Sequence, residues 1–198
     1  KHGGKNVLVA SSQEGLDHAQ NVLNSDSVSS LKIDMTQRSA AKDILNFCIL
    51  SFGGADILIS NAGSAVQGMT DELGSKEFRD SFELNFFAHY ELSKHFLRLF
   101  KKAKNNGQIL FNISKQSVNP GINFGAYGIP KLSIIGLMKQ LALENGKYGI
   151  RVNGINADKI KSGLLTSKLI KERSRARNIS QEGYMRGNLL GAEVAADD

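Results

Sequence analysis

Cysteine is nearly absent from this sequence. Cys48 is the only one, so no internal disulfide can form. It sits in the apolar helical run Ile44 to Leu50 and reads as a small core residue. A single cysteine fits a reducing cytoplasm, the expected location. No apolar run approaches the ~18 residues of a membrane span, and no signal peptide is expected at the start of the chain. The net charge of +6 invites a nucleic-acid reading. However, the basic residues are scattered through helices, with no long basic run and no zinc-finger spacing. Neither nucleic acid nor membrane is therefore expected as a partner. His2, His18, His89 and His95 show no ligand spacing, so no metal site is expected, and they read as surface or helix residues. There is no internal repeat and no low-complexity segment.

What is present suits one domain over residues 1–198. The length of 198 residues, with 41% hydrophobic and 22% charged, is ordinary for a globular protein with a real core. Short apolar runs alternate with amphipathic stretches. Strands are predicted at 6–10, 31–33, 55–60, 108–113 and 149–155. Helices are predicted at 14–24, 38–52, 78–102 and about 127–145, and the chain reads as helical and basic from Leu164 onward. Leu16, Ala19, Val22 and Leu23 form the apolar stripe of the first helix. Leu132, Ile135, Leu137, Met138, Leu141 and Leu143 supply the apolar surface of the fourth. Strands alternating with helices of this length predict a doubly wound parallel sheet with helices on both faces, a Rossmann-like α/β/α arrangement in three layers.

The stretch Asn112 to Lys131 carries the chemistry. Tyr127 and Lys131 are four residues apart, so a helix starting there puts both on one face. Pro130 is then tolerated as a first-turn residue. A free phenol titrates near pH ~10, and a neighbouring ammonium stabilises the phenolate. Such a tyrosine can exchange a proton with an alcohol or carbonyl oxygen. Ser114 precedes Tyr127 by 13 residues, at the carboxyl end of a strand, where open α/β sheets bind ligands.

This pattern resembles the short-chain dehydrogenase/reductase family over nearly the whole chain. Ser60-Asn61-Ala62-Gly63 is similar to the family's Asn-Asn-Ala-Gly turn after its fourth strand. The resemblance implies that Asn61, Ala62 and Gly63 lie against the cofactor and that Asp34 contacts its adenine. It makes Asn85, Ser114, Tyr127 and Lys131 the catalytic set. In that set Tyr127 is the general acid/base and Ser114 binds the reacting oxygen. Lys131 lowers the tyrosine pKa and holds the nicotinamide ribose, while Asn85 orders a water that links Lys131 to solvent. Each match also has a plain structural alternative: Asp34 as a turn former, Asn85 as a polar helix residue, Ser114 as a loop hydroxyl. The implied cofactor is NAD or NADP, with NAD slightly favoured. Ser11 stands where the family has its NAD-selecting acidic residue, and neither a carboxylate nor an arginine is there to discriminate.

The departures are as informative. No Gly-x-Gly-x-x-Gly occurs, and Asn6 to Ala10 aligns with the family's second strand. The family's first strand and last strand are absent, so the chain is expected to be a piece of a longer one. The loops 112–125 and 156–165, with 187–191, resemble the dehydrogenase half of bifunctional aldolase/short-chain dehydrogenases, including the rhamnulose-1-phosphate aldolase/lactaldehyde dehydrogenase type. That implies a small sugar-derived substrate, lactaldehyde among the options, an aldolase domain fused upstream, and a homo-oligomer. Lys115, Lys159 and Lys161 are candidates for binding an anionic substrate. Two rivals stand beside this oxidoreductase reading: an NAD-dependent epimerase or dehydratase, and a Rossmann-fold binding or scaffold protein without activity.

Overall fold

The computed structural model describes residues 3–160, 165–188 and 190–195. They divide into two compact units, Lys1–Ile155 and Asn156–Asp198.

In the first unit every strand connection runs through a helix, which a parallel pair requires. β1 (Asn6–Ala10) leads through α1 (Gln13–Leu23) to β2 (Val28–Lys32). The two strands pair in parallel, Asn6 opposite Val28 and Ala10 opposite Lys32. α2 (Ala40–Phe52) leads to β3 (Ile57–Ser60). A long helical segment leads on to β4 (Gln108–Asn112), and α5 (Gly125–Asn145) to β5 (Arg151–Ile155). β4 lies between β3 and β5, parallel to both, with Leu58 opposite Ile109 and Ile109 opposite Val152. Among the described residues, β1 and β3 share no ladder, so the unit holds a two-stranded and a three-stranded sheet.

One face of the β3–β4–β5 sheet is packed under α2, α4 and α5. Leu58, Ile109, Phe111 and Val152 point there and join Ile44, Cys48, Leu92, Phe96, Phe100 and Ile134 in a single core. Val7, Val9, Leu31 and Ile33 pack against the same core, so the two sheets share it. Burial raises the Cys48 thiol pKa, as expected of an inert core thiol. α1 packs on β1 and β2 through Leu16, which lies outside that core. The other face of β3 is open: Ile57 is 56% and Ile59 65% exposed.

Local physics moved several element boundaries. The predicted strand 31–33 runs from Val28 to Lys32, because backbone pairing with β1 recruits Ser29 and Ser30 despite their weak strand preference. The predicted helix 78–102 is α3 (Ser75–Phe82), one π-turn (Glu83–Phe87) and α4 (Ala88–Ala103). Val22 and Leu23 of the α1 stripe are exposed, as are Leu132 and Leu143 of α5, where Leu141 is buried as expected and Ile134 is buried beside it. α5 begins at Gly125, so Pro130 lies in its second turn, not its first.

The second unit contains α6 (Ser167–Ala176) and α7 (Gln181–Met185). Thr166 and Ser180 cap their N-termini with hydroxyl acceptors. Leu165, Ile170, Tyr184 and Met185 form a small core of their own.

Candidate active site

Three side chains and one turn converge at the carboxyl end of β3. The turn is Asn61-Ala62-Gly63, which follows β3 directly. Asn85 sits in the π-turn and is fully buried. Such wide turns inside helices recur at functional sites. Its Nδ2 donates to the Ser64 carbonyl at 3.0 Å, and its Oδ1 accepts from the Ser64 amide at 3.3 Å. Asn85 therefore grips the backbone just past the turn. A Cβ at Gly63 would lie 2.8 Å from Asn85 Oδ1 and 3.6 Å from Lys131 Nζ. Only a glycine leaves that approach open, and it brings the turn, Asn85 and Lys131 to one point.

Lys131 comes from α5 and is 2% exposed. Its Nζ donates to the Asn112 carbonyl at 3.0 Å, and burial lowers its pKa from 10.5 to about 8. Tyr127, one turn earlier, is buried, with the Lys131 ammonium 6.0 Å from its ring centroid. The helix thus sets the Tyr127 ring and the Lys131 ammonium one turn apart on one face, as the spacing predicted. Gly128 makes the fit possible from the other side, because a Cβ there would meet the Gln116 carbonyl at 2.8 Å. That carbonyl belongs to the short 3₁₀ turn Lys115–Ser117. Ser114 caps this turn: its Oγ accepts from the Gln116 amide at 3.3 Å. Ser114 and Lys115 therefore sit directly after β4, beside the start of α5. Asn112, at the end of β4, donates from Nδ2 to Asn61 Oδ1 at 2.6 Å. It ties the turn to the strand that holds Lys131.

Asp34 and Ser11 lie elsewhere along the sheet ends. Asp34 Oδ1 accepts from Thr36 N at 2.9 Å and from Thr36 Oγ1 at 2.8 Å, the turn-forming role. These bonds hold its carboxyl pKa below the usual value. Ser11 is exposed beside Ser12, the N-cap of α1. Lys159 belongs to the second unit, where its Nζ donates to the Gly187 carbonyl at 2.8 Å and lies 5.2 Å from the Tyr184 ring centroid. Lys161 lies outside the described residues. Among the described residues no group of acidic, histidine and cysteine side chains could hold a metal.

His89 is a helix residue of α4 and not a surface one. It is 2% exposed, one turn past Asn85 on the same helix. Its Nδ1 shares a 2.6 Å hydrogen bond with Ser60 Oγ, the last residue of β3, and its ring meets Phe111 edge-on. Asn85 and His89 thus hold the Ser60–Ser64 segment at both ends. Burial, with the Lys131 charge second, lowers the His89 pKa from 6.5 to about 3, and the Ala62 backbone opposes this. The unfolded chain binds this proton more readily than the fold does. The stabilising effect of keeping His89 neutral is complete above pH 6.5 and is lost as the pH falls towards 3. Urea titrations across that range are expected to show stability falling with pH, and a folded His89→Leu variant is expected to show a shallower fall. Parallel slopes would show that His89 is not the group titrating.

Ser60 and Asn112 stand in the stretches that the sequence singled out, but no pattern gives either of them a role, and none marks His89 or Ser81, whose hydroxyl donates to the Ala126 carbonyl. Each acts through partners 19 to 51 positions away. The one available signal was a histidine one helical turn after the candidate Asn.

Residues 1–173 match the short chain dehydrogenase family. The chain belongs to that family. Among curated short chain dehydrogenase relatives, "Short chain aldehyde dehydrogenase 1" of Euphorbia lathyris is 33% identical over 162 residues, 79% of this chain and 55% of that protein. The oxidoreductase YuxG of Bacillus subtilis is 28% identical over 85% of this chain and only 25% of its own length. The chain thus spans about half or less of these two relatives. Among solved structures, a 3-ketoacyl-(acyl-carrier-protein) reductase from Brucella melitensis, complexed with NADH, superposes with a TM-score of 0.87. It is 22% identical, over 99% of this chain and 77% of that one. Sorbitol-6-phosphate 2-dehydrogenase from Erwinia amylovora gives 0.86 at 20% identity, over 98% and 78%. This establishes the fold as Rossmann-like α/β with parallel sheets. Among the described residues no helix is long and apolar enough to cross a membrane.

Proposed function

We propose that this short chain dehydrogenase moves a hydride between a nicotinamide dinucleotide and a hydroxyl or carbonyl of a small, sugar-derived substrate. The observation that carries the reading is the convergence of Gly63, Asn85 and Lys131 beside the buried Tyr127. The residues present fit the nicotinamide-ribose end of such a cofactor. A turn without a Cβ at Gly63 admits close approach, and a buried ammonium beside it can donate to ribose hydroxyls. A bound nicotinamide supplies the hydride, which no side chain can. Tyr127 holds and returns the proton of the substrate oxygen. Lys131 favours the phenolate, and with a pKa of about 8 it keeps its charge at neutral pH. Ser114 positions the reacting oxygen, and Asn85 orders a water that links Lys131 to solvent.

The finer features are part of the same proposal. Asp34 contacts the adenine through the carboxylate that also caps its turn. Ser11, replacing an acidic selector, leaves NAD and NADP poorly discriminated, with NAD slightly favoured. Lys115, next to Ser114, favours an anionic oxygenated substrate over a neutral one such as lactaldehyde. Lys159, already engaged with Gly187, and Lys161 are secondary candidates for that role. The small share of YuxG that this chain covers supports a longer parent protein, where an aldolase partner domain would fit. The exposed Phe87, Tyr90 and Leu132 support a homo-oligomer. A cytoplasmic location fits the single buried thiol.

The deciding measurement is dinucleotide reduction against polyols, aldehydes, hydroxy acids and sugar phosphates, using the full-length protein. Turnover on at least one oxygenated three- to six-carbon compound is expected, with kcat/KM for NAD and NADP within roughly 100-fold, or ~2.7 kcal/mol. A larger ratio would reveal a selector other than Ser11. Dinucleotide binding without turnover on any class would return the protein to the scaffold reading.

A further inference from the structure

α5 carries Pro130 as its sixth residue, and a proline there offers no N–H to the carbonyl four residues back. That carbonyl belongs to Ala126, and both residues are buried. The proton comes instead from α3: Ser81 Oγ donates to Ala126 O at 2.6 Å, across 45 residues of sequence. A serine hydroxyl has one proton and two lone pairs. Having given its proton to Ala126, Ser81 can only accept, and it accepts from Asn85 Nδ2 at 3.0 Å. Ser81 is 1% and Asn85 0% exposed, so water offers no substitute.

We propose that Pro130 fixes the polarity of the Ser81 hydroxyl and so locks Asn85 in the one orientation that the Ser64 backbone admits. Pro130 opens the Ala126 carbonyl, and Ser81 closes it with its only proton. Asn85 must then turn its NH2 towards Ser81 and the Ser64 carbonyl. Its Oδ1 is left facing the Ser64 amide and the space beside Gly63 and Lys131. With an N–H at position 130, Ala126 would have a helical partner. The serine proton would then no longer be committed to Ala126, and Asn85 would lose a fixed acceptor, its orientation left to the Ser64 amide and carbonyl alone. Ser81 is thus a positioning residue, which acts through Asn85 and touches neither substrate nor cofactor. The inference rests on the reading of Asn85 as part of the catalytic set.

A cycle of Ser81→Ala, Pro130→Ala and the double variant tests it, with Tm and kcat read on each. Ser81→Ala strands a buried carbonyl. It is expected to lower Tm by about 2–10 °C and kcat by about 10-fold. Adding Pro130→Ala supplies an N–H to that carbonyl, so Tm recovers most of the loss. The kcat stays low, because Asn85 still lacks its Ser81 anchor. Ser81→Thr keeps the hydroxyl and keeps kcat near wild type. Strictly additive Tm changes, or a kcat that recovers together with Tm, would overturn the proposal. If the wild-type protein turns over nothing with either dinucleotide, the functional reading fails, and the Tm cycle alone decides whether Pro130 and Ser81 are coupled.

Discussion

Tyr127→Phe yields a folded protein whose turnover is about 10²–10⁴-fold below wild type, the share that general acid/base catalysis supplies. The phenol ring is buried and stacked edge-on to Phe124 at 6.5 Å between centroids, and phenylalanine preserves both. Only the oxygen is lost, so circular dichroism and Tm should stay close to wild type while kcat collapses. The KM for the dinucleotide should change by a small factor, because the ring still lines the site. Near-wild-type kcat in this variant, measured on the full-length protein, would remove Tyr127 from the mechanism and with it the oxidoreductase assignment.

Lys131→Met separates activity from stability in opposite directions. The fall of the Lys131 pKa from 10.5 to about 8 has one physical cause, loss of hydration on burial. It corresponds to about 3 kcal/mol against the charged form. Methionine has a similar length and needs no hydration. Replacing a buried charge by a well-packed apolar group is often neutral or stabilising, although here it also leaves the Asn112 carbonyl without its ammonium donor. Tm is therefore expected at or above the wild-type value at pH 7, with turnover lower by about 10²-fold or more. The pH dependence carries the sign. Between pH 8 and 10.5 the unfolded chain holds more of this proton than the fold does, so wild-type stability rises with pH across that window. The stability offered by a neutral Lys131 is complete above 10.5 and lost as the pH falls to about 8. Lys131→Met should flatten that rise. A variant that loses stability and keeps the rise would mean that the ammonium is well solvated and not the buried group described above.

Sequence reasoning reached furthest where the determinants are local. The 3.6-residue period alone puts Tyr127 and Lys131 on one helix face, and the apolar runs locate β1 and β4. It faltered where a distant partner decides. Ser29 and Ser30 look like loop residues until β1 supplies the ladder. His89 reads as a surface or helix residue, and its burial shows only when Ser60, 29 positions away, takes its Nδ1. Pro130 reads as a first-turn residue because nothing local reveals that α5 starts at Gly125. Its real compensation, the Ser81 hydroxyl, is 45 residues from the carbonyl it serves. The π-turn was invisible for a related reason. Phe82, Leu84 and Phe86 satisfy a helical pattern whichever way the backbone winds, and the tertiary fit of Asn85 selects the wide form.

That wide turn has an implication for insertions and deletions. Its i→i+5 bonding takes in one more residue per turn than an α-helix, so the turn Glu83–Phe87 absorbs an extra residue and keeps α3 and α4 in phase. Deleting a residue there other than Asn85 would let the backbone relax into uninterrupted α-helix. α3 and α4 would keep their phase, and the change would fall on the turn itself. Ser81 would stay beside Ala126, while Asn85, inside the turn, would be re-aimed away from Ser64. Composition can drift in this segment as long as its buried side chains are kept; its residue count cannot.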